Sequence, residues 1–99
     1  MYEITRSNQF KKDVKLCIKR NYDIEILKSA IKKLEKSGEL PSHPLQGKMS
    51  YIFDHHLKSD WLLLFSVDNT PVYDEETNIV FIGSINLFRT GTHSDLFGK

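Results

Sequence analysis

Apolar residues recur along the first third of the chain at helical intervals. Phe10, Val14, Cys17 and Ile18 form one stripe, with Ser7 placed to cap its N-terminus. Asn21-Tyr22 interrupts the pattern, and Asp23 can cap a second helix carrying Ile24, Leu27, Ile31 and Leu34. Gly38 stands where the C-terminus of that helix favours glycine. Tyr2 to Arg6 predicts a short strand ahead of the pair. The two helices therefore read as a hairpin whose apolar stripes pack on a sheet, core rather than ligand pocket.

Beyond Gly38 the period shortens to two. Leu40-Pro41-Ser42-His43-Pro44 is a connection stiffened by two prolines, which keep the residues before them out of helix. Lys48 to Leu57 predicts a strand with Phe53, His55 and Leu57 on one side and Ile52, Asp54 and His56 on the other. The first side reads as core, so His56 is the functional candidate and His55 the structural one, unless a one-residue bulge exchanges them. Trp61 to Val67 is apolar on both faces and predicts a central strand. Asp68 to Asn78 is polar, acidic and contains Pro71, as expected of a long hairpin tip. Ile79 to Phe88 returns as a strand, with Gly83 a site for a bulge or bend. The resulting expectation is an α+β fold: an N-terminal strand, then a helical hairpin on one face of a mainly antiparallel sheet, with the other face open to a substrate.

Composition narrows the class. The 99 residues, 39% hydrophobic and 11% aromatic, suit one globular domain spanning 1–99. No apolar run approaches the roughly 20 residues that cross a bilayer. The opening Met-Tyr-Glu-Ile-Thr-Arg lacks the apolar core of a signal peptide, so a cytoplasmic protein without membrane partners is expected. Cys17, the single cysteine, excludes an intrachain disulfide and reads as a small helix residue. The net charge of +1 is unevenly spread: residues 1–36 hold ten Lys/Arg against five Asp/Glu, and residues 37–99 four against eight. A basic helical face including Lys11, Lys12, Lys15 and Lys19 can follow a nucleic-acid backbone, or be simply the solvated side of an amphipathic helix.

All four histidines fall in three short segments. His43 leads the Pro-containing loop His43-Pro44-Leu45-Gln46-Gly47. His55 and His56 lie between two carboxylates in Asp54-His55-His56-Leu57-Lys58-Ser59-Asp60-Trp61. His93 follows Arg89 by four residues in Leu87 to Phe97, across a polar turn at Thr90-Gly91-Thr92. Arginine grips phosphate through a planar fork of donors, and histidine transfers protons near neutral pH. Together they suit phosphoryl chemistry, which needs a nucleophile deprotonated, phosphorane charge stabilised and a leaving oxygen protonated. Arg89 is expected as the phosphate clamp and His93 as the general acid, with His43, His56 and Asp60 open as the base. The same His43, His56, His93 and Asp60 could instead ligate a metal, but no compact ligand spacing supports that, and no cofactor is expected.

The ordered motifs His43-Pro-Leu-x-Gly47, Asp54-x-His-x-x-x-Asp60-Trp61 and Arg89-Thr-Gly-Thr-His93-x-x-Leu-Phe97 resemble the YafQ-type toxins of the RelE superfamily over nearly the whole chain. The resemblance implies a RelE-like fold and a ribosome-dependent endoribonuclease that cuts messenger RNA in the decoding site. It further implies silencing by a cognate DinJ- or RelB-like antitoxin, the toxin being a monomer or part of a toxin–antitoxin hetero-oligomer. It places the matching histidines, Asp60 and Phe97 in the active site, with Phe97 stacking on a base. Trp61 is expected beside the substrate, and Asp54 is expected to orient His56. Phe53 departs from the family, which often has a basic or polar residue there; Lys48 and Lys58 are the substitutes for a phosphate contact. The alternative is a non-catalytic, antitoxin-bound corepressor module.

Overall fold

The computed structural model describes residues 1–98. The chain opens with β1 (Tyr2–Arg6), followed by α1 (Asn8–Lys19) and α2 (Ile24–Ser37). Both helices start at the residues expected: Ser7 Oγ accepts the Phe10 N–H and Asp23 Oδ1 accepts the Glu25 N–H. Gly38 closes α2 in the left-handed conformation, donating to the Leu34 carbonyl. A two-residue strand β2 (His43–Pro44) precedes β3 (Phe53–Lys58), β4 (Trp61–Asp68), β5 (Val72–Asp74), β6 (Ile79–Phe81) and β7 (Gly83–Gly91), and the short helix α3 (His93–Phe97) follows.

The main sheet has the order β1-β7-β4-β3-β2 and is antiparallel except where β1 runs parallel to β7. The fold is therefore α+β with a mainly antiparallel sheet, and β4 is its central strand, buried from Trp61 through Ser66. Phe10, Cys17, Leu27, Ala30 and Leu34 of the helices pack on Trp61, Leu63, Phe65, Ile85 and Leu87 of the sheet. The alternate β4 residues Leu62 and Leu64, on the opposite side, are buried as well. That face is consequently not open at its centre, contrary to the expectation of a free sheet face.

Two strand expectations are corrected. The strand predicted from Lys48 begins only at Phe53, because Gly47–Met49 form a 3-10 turn closed by Ser50 N–H to Gly47 O and Ile52 N–H to Met49 O. The strand predicted over Ile79–Phe88 is two. Ile79–Phe81 folds back on Val72–Asp74 as a separate two-stranded hairpin, while Gly83 starts β7. Gly83 passes so close to the Asp68 carbonyl that an added Cβ would lie 2.3 Å from it, so only glycine allows the crossing.

Candidate active site

Local hydrogen bonding fixes the end of β7. Pairing with β1 stops at Arg6 opposite Leu87. Past that point α1 takes the missing neighbour's place: Ser7 N–H donates to Leu87 O, Ser7 Oγ to Phe88 O, and the Asp13 carboxylate accepts the Thr90 N–H at 3.1 Å. Asp13 also takes Arg89 Nε at 2.7 Å and Nη2 at 3.1 Å, and Gln9 Nε2 at 3.1 Å. This carboxylate is 6% exposed, and its donors compensate for the burial. The same pair raises the Arg89 pKa above its ordinary value. Arg89 is thus held to the body of the protein along one edge, with two of the five N–H donors of a guanidinium engaged.

The sequence pattern indicated a turn at Thr90-Gly91-Thr92; β7 instead runs through Gly91, and Thr92 caps α3. Thr92 Oγ1 accepts the Asp95 N–H and the Asp95 carboxylate accepts the Thr92 N–H, a reciprocal capping box. Gly91 lies against it: a Cβ there would be 2.9 Å from Asp95 Oδ2. Five residues are too few to hold a helix unaided. Arg20, at the end of α1, adds a two-point clasp on Asp95 at 2.6 and 3.1 Å. Arg20 first, then the Thr92 N–H, holds the Asp95 carboxyl well below the usual carboxylate range.

On this fixed turn His93 meets Asp60 from the β3–β4 turn. Asp60 Oδ1 lies 2.5 Å from His93 Nδ1 and accepts the His93 backbone N–H at 3.0 Å. The backbone N–H first, and then the ring, lower the Asp60 pKa. With Nδ1 directed at a carboxylate, Nε2 is the ring nitrogen free to face a substrate. The His56 and His93 rings stand 5.8 Å apart, and the Phe97 ring 6.4 Å from His93. His43 and His56 together line a cleft of about 420 Å³ with Pro41, Ser42 and His55. Two histidines, one carboxylate and one aromatic thus share a small region, and His43 borders it through that cleft.

Other residues fall differently from expectation. His55 Nδ1 bonds the Pro41 carbonyl at 2.7 Å, a structural contact. Asp54 faces His43 rather than orienting His56: its Oδ1 is buried without a hydrogen bond, 3.9 Å from His43 Nδ1, because the register pairs Asp54 with His43 across β2 and β3. Trp61 is 4% exposed and donates Nε1–H to Thr90 Oγ1, so it is chiefly a core residue. Phe53 packs on Phe65 with ring centroids 5.8 Å apart, and its position belongs to the core side of β3. Lys48 and Lys58 are both exposed. Among the described residues, no three His, Cys, Asp or Glu converge as metal ligands would.

Asp13, Arg20 and Asp95 were missed in the sequence, although two of the three left a trace. Asp13 stands on the apolar stripe between Phe10 and Cys17, where a charge needs a partner. Thr92-x-x-Asp95 is the spacing of a capping box. Arg20 carries no such mark.

Comparison with known proteins gives one consistent result. Residues 2–98 match the family model described as the bacterial toxin of a type II toxin–antitoxin system, YafQ. The mRNA interferase toxin YafQ of Escherichia coli K12 is 35% identical over 101 aligned residues, covering 97% of this chain and 96% of that protein. The crystal structure of the E. coli DinJ–YafQ complex matches with a TM-score of 0.76 at 34% identity, covering 99% of this chain and 100% of the other. A metal-bound toxin from Helicobacter pylori matches with a TM-score of 0.74 at 31% identity, covering 98% and 100%.

Proposed function

The chain belongs to the YafQ family of type II toxins, and from that premise we propose that it is a ribosome-dependent endoribonuclease cutting messenger RNA by metal-independent acid–base catalysis. The observation that carries the chemistry is the His93–Asp60 contact at 2.5 Å with the His56 ring beside it. Two imidazoles at that separation can serve the two sides of one phosphate, as base and acid.

His56 removes the proton from the 2′-hydroxyl. The 2′-oxygen then bonds to phosphorus and the phosphorus–O5′ bond breaks. His93 gives its proton to O5′, leaving a 2′,3′-cyclic phosphate and a 5′-hydroxyl. Asp60 is an orienting partner rather than the base, because its Oδ1 already takes both His93 N–H groups. His43 supports His56 from their common cleft. The N–H groups of Arg89 not given to Asp13 stabilise phosphorane charge. Phe97 is a stacking surface for a base, exposed and within ring contact of His93.

A cognate DinJ-like antitoxin is the proposed partner, supported by the complex its relative forms. The test maps 5′ ends of a defined messenger RNA after incubation with the purified protein, with and without translating ribosomes, beside His93→Ala. Cuts at fixed codon positions that require both ribosomes and His93 are expected. Cuts on free RNA would overturn the substrate, and no cuts from folded protein would leave a binding module.

A further inference from the structure

Next to the histidine region, a second cleft of about 390 Å³ opens between the α1–α2 turn and the β3–β4 turn. Asn21, Tyr22 and Asp23 form one wall; Lys58, Asp60 and Trp61 form the other. None of the acid–base steps above uses Asn21, Tyr22 or Asp23. Its size falls in the range of roughly 300 to 1,000 Å³ typical of small-ligand sites.

Three features say what would fill it. Asp60 belongs to both places: its Oδ1 holds His93, and the same side chain borders this cleft, so an occupant lies immediately beside the reacting phosphate. The Tyr22 and Trp61 rings meet edge to face at 4.9 Å and 62°, giving the cleft an aromatic side. The polar groups are the Asp23 and Asp60 carboxylates, the Asn21 amide and the Lys58 ammonium. Single-stranded RNA is read by splaying bases onto aromatic rings and bonding their edges. Ionised carboxylates only accept hydrogen bonds, so they favour edges that carry an exocyclic amino group over that of uracil, whose one donor, N3–H, lies between two carbonyl oxygens that repel a carboxylate.

We propose that this cleft receives the unstacked base of a nucleotide flanking the scissile phosphate and favours adenine, cytosine or guanine over uracil. Lys58 meets the adjoining phosphate, Tyr22 stacks on the base, and Asp23 is the specificity-determining contact. The inference rests on the nuclease reading, since the flanking nucleotide is defined by the cut at His93.

Trp61 is the only tryptophan of the chain and lines the cleft, so its fluorescence reports binding without cleavage. Uncleavable 2′-O-methyl oligonucleotides of A, C, G and U are titrated against the full chain and against Tyr22→Ala, Tyr22→Phe, Asp23→Ser and His93→Ala. Serine keeps an N-cap acceptor for α2, so Asp23→Ser removes charge with the helix intact. The amino-bearing oligomers are expected to shift Trp61 emission and oligo-U to leave it unchanged. Tyr22→Ala weakens binding about tenfold, as loss of one stacked base does, while Tyr22→Phe, which retains the ring, restores it. Asp23→Ser narrows the discrimination against U, and the same variant broadens the flanking-base pattern in mapped cuts.

Equal response to all four oligomers, or unchanged discrimination in Asp23→Ser, would overturn the cleft. Should His93→Ala abolish cutting while Tyr22→Ala alters neither fluorescence nor cut pattern, the cleft falls and the nuclease stands. Base-selective fluorescence from a wild-type protein that cuts no RNA would sink the nuclease and leave the cleft.

Discussion

Two carboxylates hold the segment from Arg89 to His93, and they do so by the same device in opposite surroundings. Asp13 accepts a side-chain N–H from Arg89 and the backbone N–H of Thr90; Asp60 accepts the backbone N–H of His93 and faces its ring nitrogen. The Asp13 side chain is 7% exposed and the Asp60 side chain 62%. Arginine is charged at every working pH, whereas histidine changes charge near neutrality. The buried pair therefore fixes a position, and the exposed pair is where the proposed mechanism moves a proton. The two carboxylates thus grip positions four residues apart on one chain segment.

The sharpest way to break the comparison is to remove the histidine, the group that exchanges protons in the proposed mechanism. His93→Ala is expected to lower cleavage by about 10²- to 10⁴-fold, the usual contribution of a general acid, with the thermal midpoint nearly unchanged. Single-turnover cleavage beside a melting curve checks both halves; a large loss of stability would place His93 with the anchors. Asp13→Ala is expected to lower the stability that His93→Ala spares. It strips Arg89 and the Thr90 N–H of their acceptor and is expected to cost about 2 to 3 kcal/mol of stability, read as a lower denaturation midpoint in urea. Arg89 can swing into solvent, which keeps the loss below that of a fully buried pair. Asp60→Asn is expected to reduce the single-turnover rate at saturating substrate by roughly tenfold, because the ring keeps a neighbour but loses a charge.

The clasp between Arg20 and Asp95 gives a smaller, pH-dependent effect. The folded-state pKa of Asp95 is depressed, so its contribution to stability is complete above the ordinary carboxylate pKa of about 3.9 and disappears as pH falls through the folded value. Melting wild type and Asp95→Asn from pH 7 downward should show a gap that is constant to about pH 5 and closes below pH 4. A gap that widened in acid would refute the assignment. The effect is modest and falls with added salt, since both side chains reach solvent. Least of all should Val80→Thr matter. Val80 is exposed on the β5–β6 hairpin, remote in sequence from both carboxylates, and a stability change within about 0.5 kcal/mol is expected by the same urea midpoint.

How much of this was legible depended on how local the cause was. The helix starts at Ser7 and Asp23 and the stop at Gly38 are set by a few neighbouring residues, and the pattern revealed them. The central strand was legible because Trp61 to Ser66 is buried on both faces. Alternation along β3 put His56 on the side away from Phe53 and Leu57, and the structure places it beside His93. Alternation says which face a side chain takes, but not which residue stands opposite. That is why Asp54 was paired with His56 when the register gives it His43. The parallel pairing of β1 with β7 and the reach of Asp13 to Arg89 join residues 76 to 81 positions apart, and no local pattern encodes such distances.

The order of synthesis adds a consequence of that parallel pairing. β7 fills the slot between β1 and β4 and delivers His93, yet it is the last strand to be made. A nascent chain finished only through Phe81 has α1, α2 and four of the five main strands, but β1 has no strand beside it and His93 has yet to be made. The long sequence separation also makes closure of the sheet the late and slow event. Whatever depends on His93 therefore waits until the final strand has emerged and docked.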